Sequence, residues 1–224
     1  MLAQKLGLSL PTIKTLGAAW APDDEATLEA WYKNATGINL SGTDVDRWSD
    51  VSTNSYHMSQ YTAAAQPAYS GGVLTFDGVD DNLASGQMNF PAGDELTIGI
   101  RGDFSSGVGT LLGDDDQSTS FIRFQSTTVL RIRPLAGPAD FTLSSGAFGN
   151  GYIVITRDSS DNVDAYYNGA AISATVVKGG TIKIDNMGSY DVNDFFDGTI
   201  LECQIYTSTS AALTANVNNY LSNI

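Results

Sequence analysis

The sequence predicts an all-β fold, an antiparallel sandwich of many short strands, and three observations predict it. Of 25 acidic residues only four are Glu (Glu25, Glu29, Glu95, Glu202), and the 21 Asp stand beside 23 Gly. Asp and Gly favour turns, whereas Glu favours helix interiors. Apolar residues recur at every second position in run after run, the period of a strand with one face in a core. Turn pairs divide these runs at short intervals: Ser70-Gly71-Gly72, Asp77-Gly78, Asn150-Gly151, Asn168-Gly169 and Gly179-Gly180. Asn-Gly and Asp-Gly supply the positive φ that tight hairpins need.

Taken in order, residues 1–20 read as an N-terminal arm and 21–224 as one domain. The arm offers Leu2, Leu6, Leu8, Leu10, Ile13 and Leu16 as apolar contacts. Such a segment either packs on its own sandwich or docks on a partner chain. Leu96, Ile98, Ile100 and Phe104 share one parity against Thr97, Arg101 and Asp103, which predicts a half-buried strand. Ile122 and Phe124 oppose Arg123, and Leu130 and Ile132 oppose Arg131 and Arg133, giving two more. Residues 151–157 are apolar on both faces and read as a central strand. Runs at 162–167, 171–177, 181–184 and 199–206 complete the series, the last with Leu201, Cys203 and Ile205 facing inward. A closing helix follows, since Leu213, Val217, Tyr220, Leu221 and Ile224 form one stripe.

Size and charge bound the function. All-β sandwiches of ~200–250 residues are common as single domains, so the 224 residues fit one. A single cysteine, Cys203, excludes an internal disulfide and a cysteine-based zinc site; it reads as a small buried hydrophobe. A net charge of −14 disfavours nucleic acid and anionic membrane as partners. No stretch approaches the ~20 apolar residues of a transmembrane helix, and the opening segment, broken by Pro11 and Lys14, makes a poor signal peptide.

Three stretches resemble the laminin-G-like branch of the concanavalin A-like lectin/glucanase superfamily. The first is Leu28-Glu29-Ala30-Trp31-Tyr32 with Val45-Asp46-Arg47-Trp48-Ser49-Asp50-Val51-Ser52. The second is Gln66-Pro67-Ala68-Tyr69 with Val73-Leu74-Thr75-Phe76-Asp77-Gly78-Val79-Asp80-Asp81. The third runs from 151–157 through Val163-Asp164-Ala165-Tyr166-Tyr167-Asn168-Gly169 to Phe196-Asp197-Gly198-Thr199-Ile200-Leu201-Glu202. With the helix they span about 26–224 in the family's order. The resemblance implies a two-sheet jelly roll with a short C-terminal helix, and it names no ligand. The leucine-rich start ending in Leu8-Ser9-Leu10-Pro11, joined to one such domain, is similar to structural proteins of tailed phages.

The chemistry is thin. The superfamily's glucanases resemble one another in a Glu-x-Asp-x-x-Glu strand that sets two carboxylates beside the glycosidic bond, and four scattered Glu cannot make that spacing. A serine triad would require His57, the single histidine, which lies in a polar stretch at 54–60 and reads as a surface residue. Relatives of the fold often carry calcium, which takes oxygen ligands. Asp80 and Asp81 are the candidate ligands, with 114–116 and 191–197 as other oxygen-rich loops. A sugar platform would be an exposed aromatic side chain, for which Trp20 and the set Tyr56, Tyr61 and Tyr69 are candidates, while Trp31 and Trp48 belong to the scaffold. Arg101-Gly102-Asp103 falls inside an expected strand and reads as chance. Asn34-Ala35-Thr36 and Asn39-Leu40-Ser41 would accept glycans only on a eukaryotic secretory route.

The expected function is a non-enzymatic virion surface protein of a tailed phage, a capsid decoration or a fibre or tail appendage. Its partners would be other virion subunits, a second copy of itself or a cell-surface glycan. A secreted glycan-binding module is the alternative, and a glycoside hydrolase the third reading. No cofactor is required by any residue pattern, with calcium as the optional one.

Overall fold

The computed structural model describes residues 19–115, 120–174, 179–191 and 193–224. The six apolar residues Leu2, Leu6, Leu8, Leu10, Ile13 and Leu16 therefore lie outside the described residues. All strand pairs among the described residues are antiparallel. One layer runs from Ala170–Ala174 through Val163–Tyr167, Asn150–Arg157 and Leu96–Asp103 to Asp197–Tyr206. The far side of Asp197–Tyr206 carries two strands end to end, Val73–Asp77 and Leu28–Tyr32. The other layer runs from Ala139–Thr142 through Val129–Arg133, Phe121–Ser126, Gly109–Gly113, Ile182–Met187, Leu83–Phe90 and Met58–Ser59 to Asp44–Trp48 and Ile38–Ser41. Phe141 and Thr142 pair with Ala174 and Ser173 at one margin, and Ala68–Ser70 bridges the layers at the other.

Local chemistry explains the hairpins. Asn168 and Gly169 sit at φ 48° and 79° between the paired residues Tyr167 and Ala170, a two-residue turn whose twist matches that of the flanking strands. Asn168 Oδ1 also accepts from the amide of Tyr152, so the turn is pinned to the next strand. The helix Ala211–Leu221 is capped by Ser210, whose Oγ accepts from the amide of Leu213 at 3.0 Å.

Between the layers lies one core. Ile98, Ile100, Ile153, Ile155, Cys203 and Ile205 face Ile122, Phe124, Leu130, Ile132, Ile184 and Met88. Arg157, fully buried, closes one end of it. Its guanidinium donates to the carbonyls of Phe90, Pro91, Asp94 and Gly180, and burial lowers its pKa.

Four expectations change. Leu201 does not face the core: a bulge between Ile200 and Glu202 shifts the register, Ile200 takes the inward place, and Leu201 is half-buried. The strand Leu96–Asp103 is buried on both faces from Leu96 to Ile100, because the helix lies on its outer side. The runs expected at 171–177 and 181–184 appear as Ala170–Ala174 and Ile182–Met187, with 175–178 outside the described residues. Finally, Trp20, a candidate sugar platform, is engaged within the fold: its Nε1 donates to Glu25 Oε1 at 3.0 Å, and its ring meets Tyr220 edge-on at 6.0 Å.

The helix seat depends on Gly99. A Cβ there would stand 2.7 Å from Val217 Cγ1 and 2.9 Å from Leu221 Cδ1, both in the buried stripe of the helix. Overpacking of this kind costs about 1–3 kcal/mol. Gly99→Val is therefore expected to lower stability by about that amount in chemical denaturation, with the loss of Tyr220 packing visible in tyrosine fluorescence. An unchanged midpoint would show that the helix is not seated as described.

Candidate functional site

The outer face of the second layer carries a groove of about 790 Å³. Its floor is built from neighbouring strands, because Ser59 pairs with Ala84 and Ala84 with Asn186. Side chains at these positions point away from Met58, Leu83 and Met187, which fill the core. The wall is the segment that follows Met58–Ser59, with Gln60, Tyr61 and Thr62, and Asp80, Asn82 and Asp115 also line it.

Tyr61 is 89% exposed, an uncommon position for so large a ring. Tyr56 and Tyr69, its expected companions, are partly buried against the core instead. The amides beside Tyr61 are held in place. Gln60 Nε2 donates to Asn82 Oδ1 at 3.0 Å, its Oε1 accepts from the Thr62 amide, and Asn82 Nδ2 donates to the Asp80 carbonyl at 2.9 Å. His57, at the rim, is half-buried rather than a free surface residue. Its Nδ1 accepts from the Asp50 amide at 3.1 Å, which leaves Nε2 as the ring's remaining polar atom. Gln60 and Asn186 were not singled out from the sequence, whereas Asp115 stands in the oxygen-rich run at 114–116 and Asn82 directly follows Asp80 and Asp81. Gln60 adjoins Tyr61 in the polar stretch around His57, which was the one available signal.

Asp80 and Asp81, the expected calcium ligands, do come together, and Asp77 joins them, with ligand atoms all within 4.8 Å of one another. Asp77 Oδ1 accepts from the Val79 amide and Asp81 Oδ2 from the Asp77 amide, so the turn organises the carboxylates. Asp80 faces the groove while Asp81 points inward. Burial pushes the Asp81 carboxyl up to about 6, with Asp77, Asp80 and Asp44 adding to the rise. Each carboxylate keeps acceptor capacity beyond these bonds, so the donor set fits a hard, oxygen-seeking cation such as Ca²⁺. The other two oxygen-rich loops divide: Asp114 and Asp115 sit beside Asp185 at the groove's end, and Asp194 pairs with Arg123 on another part of the sheet.

Glu202 is fully buried and accepts from Trp31 Nε1 at 2.7 Å, Gln204 Nε2 at 2.8 Å and the Asn34 amide. A carboxylate so enclosed has no approach for a substrate. Arg101-Gly102-Asp103 lies in the strand Leu96–Asp103, paired on both sides, as expected.

Asp81 generates a test with a worked sign. Its folded-state pKa lies above the ordinary 3.8, so the folded chain holds the proton more tightly than the unfolded chain. The stability it contributes is complete below about pH 4 and lost as the pH rises through about 6. In chelator near pH 7.5, Asp81→Asn is expected to stabilise by about 1–2 kcal/mol, with no effect near pH 4. Calcium that binds here would reverse the order: it would raise the melting temperature of the parent protein and not of the variant. Thermal melts with and without calcium read both.

No protein-family model and no curated protein matches the sequence. Solved structures do match. A sialidase of Trypanosoma rangeli, in complex with a difluorinated nononic acid, is 14% identical with a TM-score of 0.57, covering 89% of this chain and 33% of its own. The binding domain of Paraclostridial Mosquitocidal Protein 1 is 13% identical with a TM-score of 0.55, covering 87% and 52%. The ligand-binding domain of botulinum neurotoxin serotype D, in complex with N-acetylneuraminic acid, is 12% identical with a TM-score of 0.54, covering 88% and 51%. The chain thus spans a third to a half of the length of these solved chains, and what it shares with them is the lectin-like β-sandwich fold.

Proposed function

We propose that the chain is a non-catalytic carbohydrate-binding module whose ligand lies in the groove beside Tyr61. The observation that carries this reading is the exposed Tyr61 ring next to the fixed amides of Gln60 and Asn82. A tyrosine ring offers an apolar face with a polar tip, suited to the C–H face of a sugar, while amides and carboxylates take its hydroxyls. Absence of catalysis is supported by the inventory: four Glu, one of them enclosed, and His57 held at Nδ1. The expected outcome for Tyr61→Ala is a loss of glycan affinity of roughly tenfold or more with an unchanged melting temperature. Calorimetric titration and glycan-array binding measure it. Undiminished binding would remove the groove from the reading, and release of reducing sugar by the purified protein would remove its non-catalytic part.

As its setting we propose a virion surface, on the support of the apolar residues at 2–16 and the sequence likeness to phage structural proteins. Deletion of residues 1–18 is then expected to leave the sandwich's melting temperature unchanged while abolishing assembly, as read by sedimentation with the intact chain as reference. A truncated chain that unfolds, or that assembles normally, would end this assignment.

A further inference from the structure

Charge around the groove narrows the ligand class beyond the glycan reading, on which this inference rests. Among the described residues lining the groove there is no Lys and no Arg, while Asp80 and Asp115 are both carboxylates. The nearest cation in the strand pairing is Arg47, opposite Ser59 and one strand beyond the floor; it does not line the groove. Immediately behind the wall stand Asp77 and Asp81, and at the far end Asp114 and Asp185. The chain as a whole carries −14. We infer that the groove takes neutral and amino-bearing glycans and turns away acidic ones.

The physical case is additive. A sugar carboxylate entering the groove would meet two like charges on its walls and more behind them, in a concave site where the fields of neighbouring carboxylates reinforce one another. An amino group would meet the same charges with the opposite sign. Neutral hydroxyls lose nothing, because carboxylates and amides accept from them equally well. Arg47 alone does not offset these carboxylates, being one cation outside the walls. The N-acetylneuraminic acid bound by the botulinum domain of similar fold is an acidic sugar, so the inference separates the two proteins by ligand even though they share a scaffold.

The test uses the full chain and three probes: a glucosamine oligomer with free amines, its fully N-acetylated counterpart, and a sialylated lactose. Each is titrated in chelator, so that Asp77, Asp80 and Asp81 carry no cation, at ~20 mM and ~500 mM salt, into the parent protein and into Tyr61→Ala. The amine form is expected to bind roughly tenfold more tightly than the N-acetylated form at low salt, and the sialylated sugar roughly tenfold more weakly or worse. High salt should shrink both gaps, and Asp115→Asn should shrink them at low salt. All binding should depend on Tyr61. A sialylated sugar that binds as tightly as the others, through Tyr61, overturns the charge inference and leaves the glycan reading standing. Amine binding that survives Tyr61→Ala is general attraction to an acidic chain and also overturns the inference. Failure of all three probes, or of Tyr61→Ala to matter for any, overturns the glycan reading itself.

Discussion

A single buried carboxylate ties the ends of this fold together. Glu202 sits on the outer face of the last strand, closed off from water, and such a charge is tolerated only when it is fully hydrogen-bonded. Its donors come from widely separated places: Trp31 Nε1 on the first strand, the Asn34 amide in the turn that follows, and Gln204 Nε2 two residues along its own strand. Tyr206 then donates to Gln204 Oε1, and Tyr220 of the helix meets the Trp31 ring edge-on at 6.3 Å. Burial pushes the hydroxyls of Tyr206 and Tyr220 far above the ordinary tyrosine range, so both remain donors. Whatever loosens one member leaves a carboxylate in a dry site, which is the costly state. The helix, the first strand and the last strand are therefore held as a unit.

The groove is on the opposite layer, and the division of labour follows from the geometry. One outer face is occupied by the helix and by the Glu202 network, and the hollow of about 440 Å³ that remains beside the helix, lined by Asp158, Asp164, Tyr166 and Asn218, has no fully exposed ring like Tyr61. Among the described residues no helix covers the other outer face, so the small residues Ser59, Ala84, Ser85 and Gly86 form an open floor. Tyr61 stands at the edge of that floor because the strand Met58–Ser59 is only two residues long. The chain leaves the sheet at Gln60 and turns, carrying the next side chain into solvent.

Much of this was legible in the residues. Alternation located the strands, the Asn168-Gly169 pair located its hairpin, and the stripe at 213–221 located the helix. The closeness of Asp80 and Asp81 followed from their place after a turn. What could not be read was anything decided by a partner distant in sequence. The alternation of Leu96–Asp103 looks half-buried because Thr97 and Gly99 carry no hydrophobic signal, yet a helix more than a hundred residues later covers them. The bulge at Ile200–Glu202 inverts Leu201 without any mark in local composition. Tyr56, Tyr61 and Tyr69 are chemically alike, and only cross-strand packing sorts the exposed ring from the two that lean on the core.

The place of Asp197–Tyr206 in the sheet has a consequence for how the molecule is made. It lies between Leu96–Asp103 on one side and Val73–Asp77 with Leu28–Tyr32 on the other. During translation those three strands emerge first and must wait for roughly a hundred more residues before their shared neighbour leaves the ribosome. At ordinary elongation rates that interval is on the order of ten seconds, long compared with the collapse of a chain of this size. Through it the nascent chain displays unpaired, partly apolar strands, so its yield in a cell will depend on chaperone capacity and translation speed as much as on the stability of the finished sandwich.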